Sequence, residues 1–214
     1  MKKITTVRLG ILSILTFSNA NAVEIKPFIG ANLAITSVSW SNTLNDLKQI
    51  GIDMPTSFFG LGAEAGAVIK TDGIYNPGIT LAYDYIFNSS ANIKYPANEV
   101  FSSLETGLSS ISGTFDNYIR VSGDNPHRAD LVLGIGLAGI TERGEVRFTS
   151  YGKSIGLNDE KGTDDGTFVV LKLGTNVQLS DKIDLYLNTR YFIPTAKGDA
   201  DFIFNLSSGL RFVF

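Results

Sequence analysis

The sequence predicts an all-β chain: an eight-stranded antiparallel up-and-down β-barrel that crosses a membrane. Three observations lead there. After residue 22, apolar residues recur at every second position in eight separate segments, which is the period of a strand. The connections between those segments alternate between long, polar ones and short ones. The chain ends FIFNLSSGLRFVF, Phe202 to Phe214, with one almost wholly apolar face (Phe202, Phe204, Leu206, Ser208, Leu210, Phe212, Phe214) and one face of small and polar groups. An unpaired apolar edge of this kind invites aggregation in water, so the strand is expected to close a barrel inside a membrane.

The first residues read MKKITTVRLGILSILTFSNANA. Lys2, Lys3 and Arg8 form a basic region, Leu9 to Phe17 an apolar run, and Ala20-Asn21-Ala22 a small-residue cleavage site. That is a secretory signal, too short for a spanning helix of about 20 apolar residues. Residues 1–22 are therefore expected to be a signal peptide and 23–214 a barrel domain. Its removal takes away three positive charges and no negative ones, so the formal net charge moves from −3 to −3 − 3 = −6. An acidic chain without a basic stripe offers no footprint for nucleic acid. With no cysteine, neither a disulfide framework nor a Cys-ligated metal can form. No later apolar run approaches helix-spanning length, so an exported chain of this kind folds in the periplasm or enters a membrane as β-structure.

The segments follow in order. Val23–Ser39 sets Ile25, Ile29, Leu33 and Ile35 against Glu24, Lys26, Asn32 and Thr36. Residues 40–56 break the alternation, and Leu44, Leu47 and Ile50 suggest a helical turn in a loop. From Ser57 to Lys70, Phe59, Leu61 and Ile69 oppose Gly60, Gly62, Glu64 and Lys70. Thr71–Pro77 carries the Gly, Asn and Pro of a tight reversal. The third strand sets Ile79, Leu81, Tyr83, Tyr85 and Phe87 against Thr80, Ala82, Asp84 and Asn88. Residues 89–112 read as a long Ser/Asn/Gly connection, with Val100–Leu108 compatible with a helix. The fourth strand, Gly113–Ser122, has Phe115, Ile119 and Val121 opposite Asp116, Tyr118 and Arg120.

A short turn over residues 123–128 leads to Asp130–Glu142, where Leu131, Leu133, Ile135 and Leu137 face away from Asp130, Gly134, Gly136 and Glu142. Residues 143–166 read as a long polar loop. Val169, Leu171, Leu173 and Val177 then oppose Lys172, Asn176 and Gln178. After the tight turn Ser180-Asp181-Lys182, Ile183, Leu185, Leu187 and Tyr191 oppose Asp184, Tyr186, Asn188 and Arg190, and Pro194–Asp201 precedes the closing strand.

An even strand count puts both termini on one side, the side of the short turns. Each segment meets the 9–11 or so residues that a tilted spanning strand needs. Tyr83, Tyr85, Phe87, Tyr191, Phe212 and Phe214 sit near segment ends on the apolar face, where aromatic girdles belong.

The signal, the eight strands, the Gly-rich inward faces and the terminal Gly209-Leu210-Arg211-Phe212-Val213-Phe214 resemble the small outer-membrane β-barrels, the OmpA-like, OmpX-like and opacity-type group. The resemblance covers the whole mature chain and implies a monomer in the outer membrane of a diderm bacterium, in contact with outer-membrane lipid and lipopolysaccharide. It also implies that the barrel-assembly machinery reads the terminal strand, here at Phe214, Phe212 and Leu210.

The inward faces carry Glu64, Asp84, Asp116, Arg120, Glu142, Lys172, Arg190 and Arg211, with Glu24 and Lys26 near the start. Buried charges persist when they are paired and hydrogen-bonded. The interior of an eight-stranded barrel is just wide enough for its own side chains. The expectation is a polar core that plugs the lumen, built on Glu64, Asp84, Arg120, Lys172, Arg190 and Arg211; the alternative is a conducting path lined by the same charges.

Gly134-Ile135-Gly136-Leu137-Ala138-Gly139 matches GxGxxG, but no helix follows, so these glycines read as small inward residues and not as a phosphate cradle. His127, the only histidine, falls in a turn at the end opposite to where an outer-membrane hydrolase would place it. Asp159, Glu160, Asp164 and Asp165 lack the spacing of a Ca²⁺ loop and read as solvated loop charges. No cofactor is indicated. The expected role is structural and non-enzymatic, with loops presented to a host or cell-surface ligand. Competing roles are a narrow porin, a lipid A-modifying enzyme, and a soluble lipocalin-like barrel.

Overall fold

The computed structural model describes residues 24–40, 54–94, 100–122, 128–196 and 200–214. They form β1 (Glu24–Trp40), β2 (Ser57–Lys70), β3 (Tyr75–Lys94), β4 (Val100–Ser122), β5 (Ala129–Phe148), a short helix α1 (Ser150–Ser154), β6 (Glu160–Ser180), β7 (Ile183–Pro194) and β8 (Ala200–Val213). The signal segment, residues 41–53 and His127 lie outside the described residues.

Each strand pairs antiparallel with the next, and β8 pairs back with β1 to close the ring. The seam runs from Phe28 opposite Val213 to Ser39 opposite Phe202. Beyond it Phe214 donates its backbone N–H to the Pro27 carbonyl at 3.0 Å. The terminal strand is thus paired on both sides, and its alternation is resolved as expected: Leu210, Phe212 and Phe214 point outward, while Asn205, Ser207 and Arg211 are buried inside.

The outer wall is apolar. Ile25, Leu33, Leu81, Ile111, Phe115, Ile135, Leu137 and Leu173 all lie at 48 % exposure or more, values no water-soluble barrel would tolerate as a continuous belt. With every strand of the ring paired on both sides, that wall is a lipid-facing surface. This excludes the lipocalin-like alternative, whose apolar faces would turn inward. Two aromatic girdles flank the belt. Tyr191 stacks on Phe202 at 5.2 Å and Tyr85 meets Phe87 edge-on at 5.8 Å towards one end, and Phe212 meets Phe214 at 5.1 Å towards the other.

The structure departs from the sequence reading in the lengths of β3 to β6. Val100–Leu108, read as a possible helix, belongs to β4, and most of the 143–166 loop belongs to β5 and β6. The β4–β5 register continues to Ser102 opposite Phe148, and the β5–β6 register to Val146 opposite Glu160. The β2–β3 pairing, by contrast, stops at Gly60 and Ile86, and the β6–β7 pairing at Phe168 and Pro194. One half of the wall therefore rises past the ring as a four-stranded fin, in which the inner strand β5 from Ile140 to Phe148 adds about 25 Å of strand length.

A bulge marks where the fin leaves the ring, since Ile86 faces Leu108 but Ser89 faces Thr106. Arg143 fills it from outside. Its Nη2 donates to the Leu108 and Ile86 carbonyls at 3.2 and 3.4 Å, and its guanidinium lies 4.5 Å from the centre of the Tyr85 ring. At the tip, α1 is followed after Ile155 by Gly156, whose φ of 91° is a left-handed conformation that glycine adopts without strain.

Candidate functional site

The lumen is divided into storeys by the inward residues of successive register positions. At the end where Glu24 and Phe214 lie, Lys26 pairs with Glu24 at 3.4 Å and Arg128 with Asp130 at 2.7 Å around the mouth of an open cavity of about 490 Å³. Above it the lumen closes around Arg211. This guanidinium is 2 % exposed, pairs with Glu64, and donates to the Tyr118 hydroxyl at 3.0 Å. Three rings surround it, with centroids 4.4 Å (Phe28), 4.5 Å (Tyr186) and 5.7 Å (Tyr118) away. Lys172 pairs with Asp116 at 2.7 Å, and Thr80 donates to the same carboxylate oxygen at 2.5 Å.

The next storey holds a forked pair. Arg190 Nη1 and Nη2 reach the two Asp84 oxygens at 2.7 and 2.8 Å, a geometry suited to a planar guanidinium. Ser110 also donates to Asp84, and Arg190 donates to Asn205, which donates in turn to Thr36. Asn32 donates to the Tyr186 hydroxyl at 3.1 Å. Above this network the lining becomes apolar. Val38, Trp40, Phe58, Ile86, Leu108, Ile140, Phe168, Phe192 and Ile203 form one buried cluster, with the Trp40 indole N–H donated to the Pro55 carbonyl at 2.8 Å.

Local sequence explains the pairings. Gly30 stands opposite Glu64 on one side and Arg211 on the other. Gly134 likewise stands between Asp116 and Lys172. Each ion pair thus bridges two strands across the glycine of the strand between them. A Cβ at Gly30 would lie 3.1 Å from Arg211 Cγ and 3.3 Å from Glu64 Cγ, and one at Gly134 would lie 3.2 Å from Lys172 Cβ and press on the Asp116 carboxylate. The first glycine of the GxGxxG match therefore sits where an ion pair crosses it.

Of the charges expected in the core, Glu64, Asp84, Asp116, Lys172, Arg190 and Arg211 are buried and paired as described. Arg120 is not among them: it lines the open cavity at the mouth. Glu24 and Lys26 sit at the same mouth, and Glu142 lies at the base of the fin opposite Leu108. The aromatic cage of Phe28, Tyr118 and Tyr186 and the apolar upper storey were missed. Their signal was present, because inward positions near the outer strand ends (Val38, Trp40, Phe58, Ile86) are as apolar as outward ones.

Asp159, Glu160, Asp164 and Asp165, expected in a loop, lie in the fin. Asp159 accepts from Lys153 at 2.9 Å and from the Phe148 backbone N–H at 2.9 Å, and these two bonds hold its carboxyl below the usual carboxylate range. Asp165 accepts from the Thr141 hydroxyl at 2.6 Å. Glu145, bonded by Arg147 and Lys161, is lowered in the same way. Among the described residues, no group of three or more His, Cys, Asp or Glu is placed to hold a metal ion.

No family model matches the sequence, and no curated protein matches it. Among solved structures the chain is similar to Ail, the attachment invasion locus protein of Yersinia pestis, with TM-score 0.54 at 10 % identity over 89 % of this chain and 99 % of that one. Its fold is that of the small outer-membrane β-barrels. A second Ail structure, in complex with the heparin analogue sucrose octasulfate, gives TM-score 0.53 at the same identity and coverage. The outer membrane protein OprG from Pseudomonas aeruginosa gives 0.52 at 13 % identity, over 88 % of this chain and 95 % of that one. The apolar belt and paired girdles agree with that fold and locate the barrel in the outer membrane. In barrels of this fold the short turns lie on the periplasmic side and the longer connections outside; the short turns here lie at the end where Glu24 and Phe214 are.

Proposed function

We propose that this barrel is a non-enzymatic surface protein whose sealed lumen serves as a rigid support, and whose fin makes contact with a host, another cell or the envelope. The observation that carries this reading is the rise of β3 to β6 past the ring. Among the described residues, β3 beyond Ile86 pairs only with β4, and β6 before Thr167, whose carbonyl accepts from Thr195, pairs only with β5, so the fin offers two open backbone edges. The tip and outer β6 carry Asp159, Glu160, Asp164 and Asp165 against Lys153 and Lys161. That balance favours a basic or neutral partner surface over an acidic polysaccharide.

Three ion pairs and an apolar storey stacked in one lumen support the plugged reading over the narrow-porin one. The outward Leu210, Phe212 and Phe214 remain the positions that the assembly machinery would read, and the barrel acts as a monomer among outer-membrane lipid and lipopolysaccharide.

The test replaces residues 145–161 by a short hairpin turn in cells that display the protein. Heat-modifiable gel mobility is expected to be unchanged, and adhesion of those cells to other cells to be lost. Adhesion equal to that of non-displaying cells for the unaltered protein would refute the proposal. Steady single-channel conductance after reconstitution would favour the porin, and altered lipid A in mass spectra would favour the enzyme.

A further inference from the structure

The periplasmic mouth is more than the bottom of a plug. Its cavity of about 490 Å³ lies within the range of ligand pockets and opens towards the short-turn end, while Arg211, Phe28 and Tyr118 close the lumen above it. The result is a blind cup.

Its cations are incompletely used. Arg120 stands opposite Asp130 in the β4–β5 register, but Asp130 is held by Arg128 at 2.7 Å. Among the described residues Arg120 makes no ion pair, and its buried Nε has no hydrogen-bond partner. Arg128 is 8 % exposed, and its Nη2 is buried without a partner in the same cavity. Lys70, within electrostatic reach of Arg128 and Lys26, makes no ion pair among the described residues either. Buried donors of this kind call for an acceptor, and a charged acceptor answers three cations best.

The cup is also lined by Asp72, Asp181 and Asp184. Asp184 accepts from Asn176 at 2.9 Å, and Asp72 and Asp181 lie in the two exposed turns at the rim. A polyanion would meet these carboxylates and a polycation would meet the arginines. A solute with one carboxylate and one ammonium meets neither penalty. We propose that the periplasmic cup binds a small zwitterion of amino-acid or short-peptide type, its carboxylate on Arg120, Arg128 and Lys70 and its ammonium towards the rim aspartates. The site lies at the opposite end of the molecule from the fin and does not depend on what the fin contacts.

The test uses the whole barrel purified from membranes in a maltoside detergent, with trialanine, N-acetyl-trialanine, trialanine amide and inorganic phosphate as calorimetric probes. Trialanine is expected to bind saturably. Blocking either terminus is expected to weaken it by about tenfold or more, as is Arg120→Gln, the scale of one charge-assisted hydrogen bond. Heat-modifiable mobility confirms the folded barrel in each variant. If Arg120→Gln does not give that band, Lys70→Gln carries the same expectation from a strand end. Absence of saturation up to about 10 mM, a range that would still register millimolar affinity, overturns the proposal. So does phosphate binding as tightly as trialanine, or unchanged affinity in the folded variants.

Discussion

The Glu64–Arg211 pair allows the energetics of the plug to be tested with a sign as well as a size. Both residues are buried, at 7 % and 2 % exposure. Removing one partner of such a pair strands a charge in a low-dielectric site and costs about 3–5 kcal/mol, whereas replacing both by apolar groups is often neutral. The two single substitutions are not equivalent here. Glu64→Leu leaves Arg211 with the Tyr118 hydroxyl and three aromatic faces, so its cost is expected near the lower end, about 3 kcal/mol. Arg211→Met takes from Glu64 the one hydrogen-bond donor the described residues give it, so its cost is expected near about 5 kcal/mol. The double replacement should recover most of the loss.

The assay is urea unfolding of the lipid-reconstituted barrel, followed by the fluorescence of Trp40, the only tryptophan and a member of the apolar storey. A domain stable by about 5–15 kcal/mol gives room to measure both losses. The reasoning is refuted if each single variant costs less than about 1 kcal/mol, or if the double variant equals the sum of the singles within about 0.5 kcal/mol, since residues in direct contact must couple.

Gly134→Val is expected to prevent assembly of the heat-modifiable barrel, because its Cβ would collide with the Lys172–Asp116 pair. Gly139→Val, in the same GxGxxG run, should fold, since its nearest neighbour would be the Ile111 Cγ2 at 3.8 Å. The fin tip should loosen in acid. The Asp159 carboxyl is lowered in the folded state, so its contribution is fully present above the ordinary carboxylate value of about 3.9 and is lost as pH falls through the lower folded value. Hydrogen exchange at the Phe148 amide should rise over that interval, and Asp159→Asn should show fast exchange at both ends of it.

The ring itself was legible because lipid imposes a strict rule. Wherever a strand crosses the belt, one face must be apolar, so Leu131, Leu133, Ile135 and Leu137 declare β5 without help from any other segment. The fin was not legible for the complementary reason. Ser102, Ser103, Glu105 and Thr106 of β4 are polar on both faces, although Ser102 and Thr106 are buried, so no period-2 contrast remains to be read, and the Ser and Gly content imitates a loop. The charges were readable as inward but not as partners, because pairing depends on register. Once Gly30 is known to face both Glu64 and Arg211, the bridge across it follows from sterics; the sequence alone does not align three strands. Arg120 was misassigned to the core because alternation tells which face a residue occupies and not its depth.

Depth is also what separates a support from a channel. A path through this lumen would have to part Glu64 from Arg211, the fork between Arg190 and Asp84, and the apolar storey around Phe192 and Ile203. At about 3–5 kcal/mol for one pair, its open fraction is about 10⁻² to 10⁻⁴, before the second pair or the apolar lining is counted. The upper storey cannot compensate by hydration, since its lining offers water almost no hydrogen-bonding partners. Opening is therefore a product of small probabilities along one axis, while the two ends of the barrel remain independently accessible.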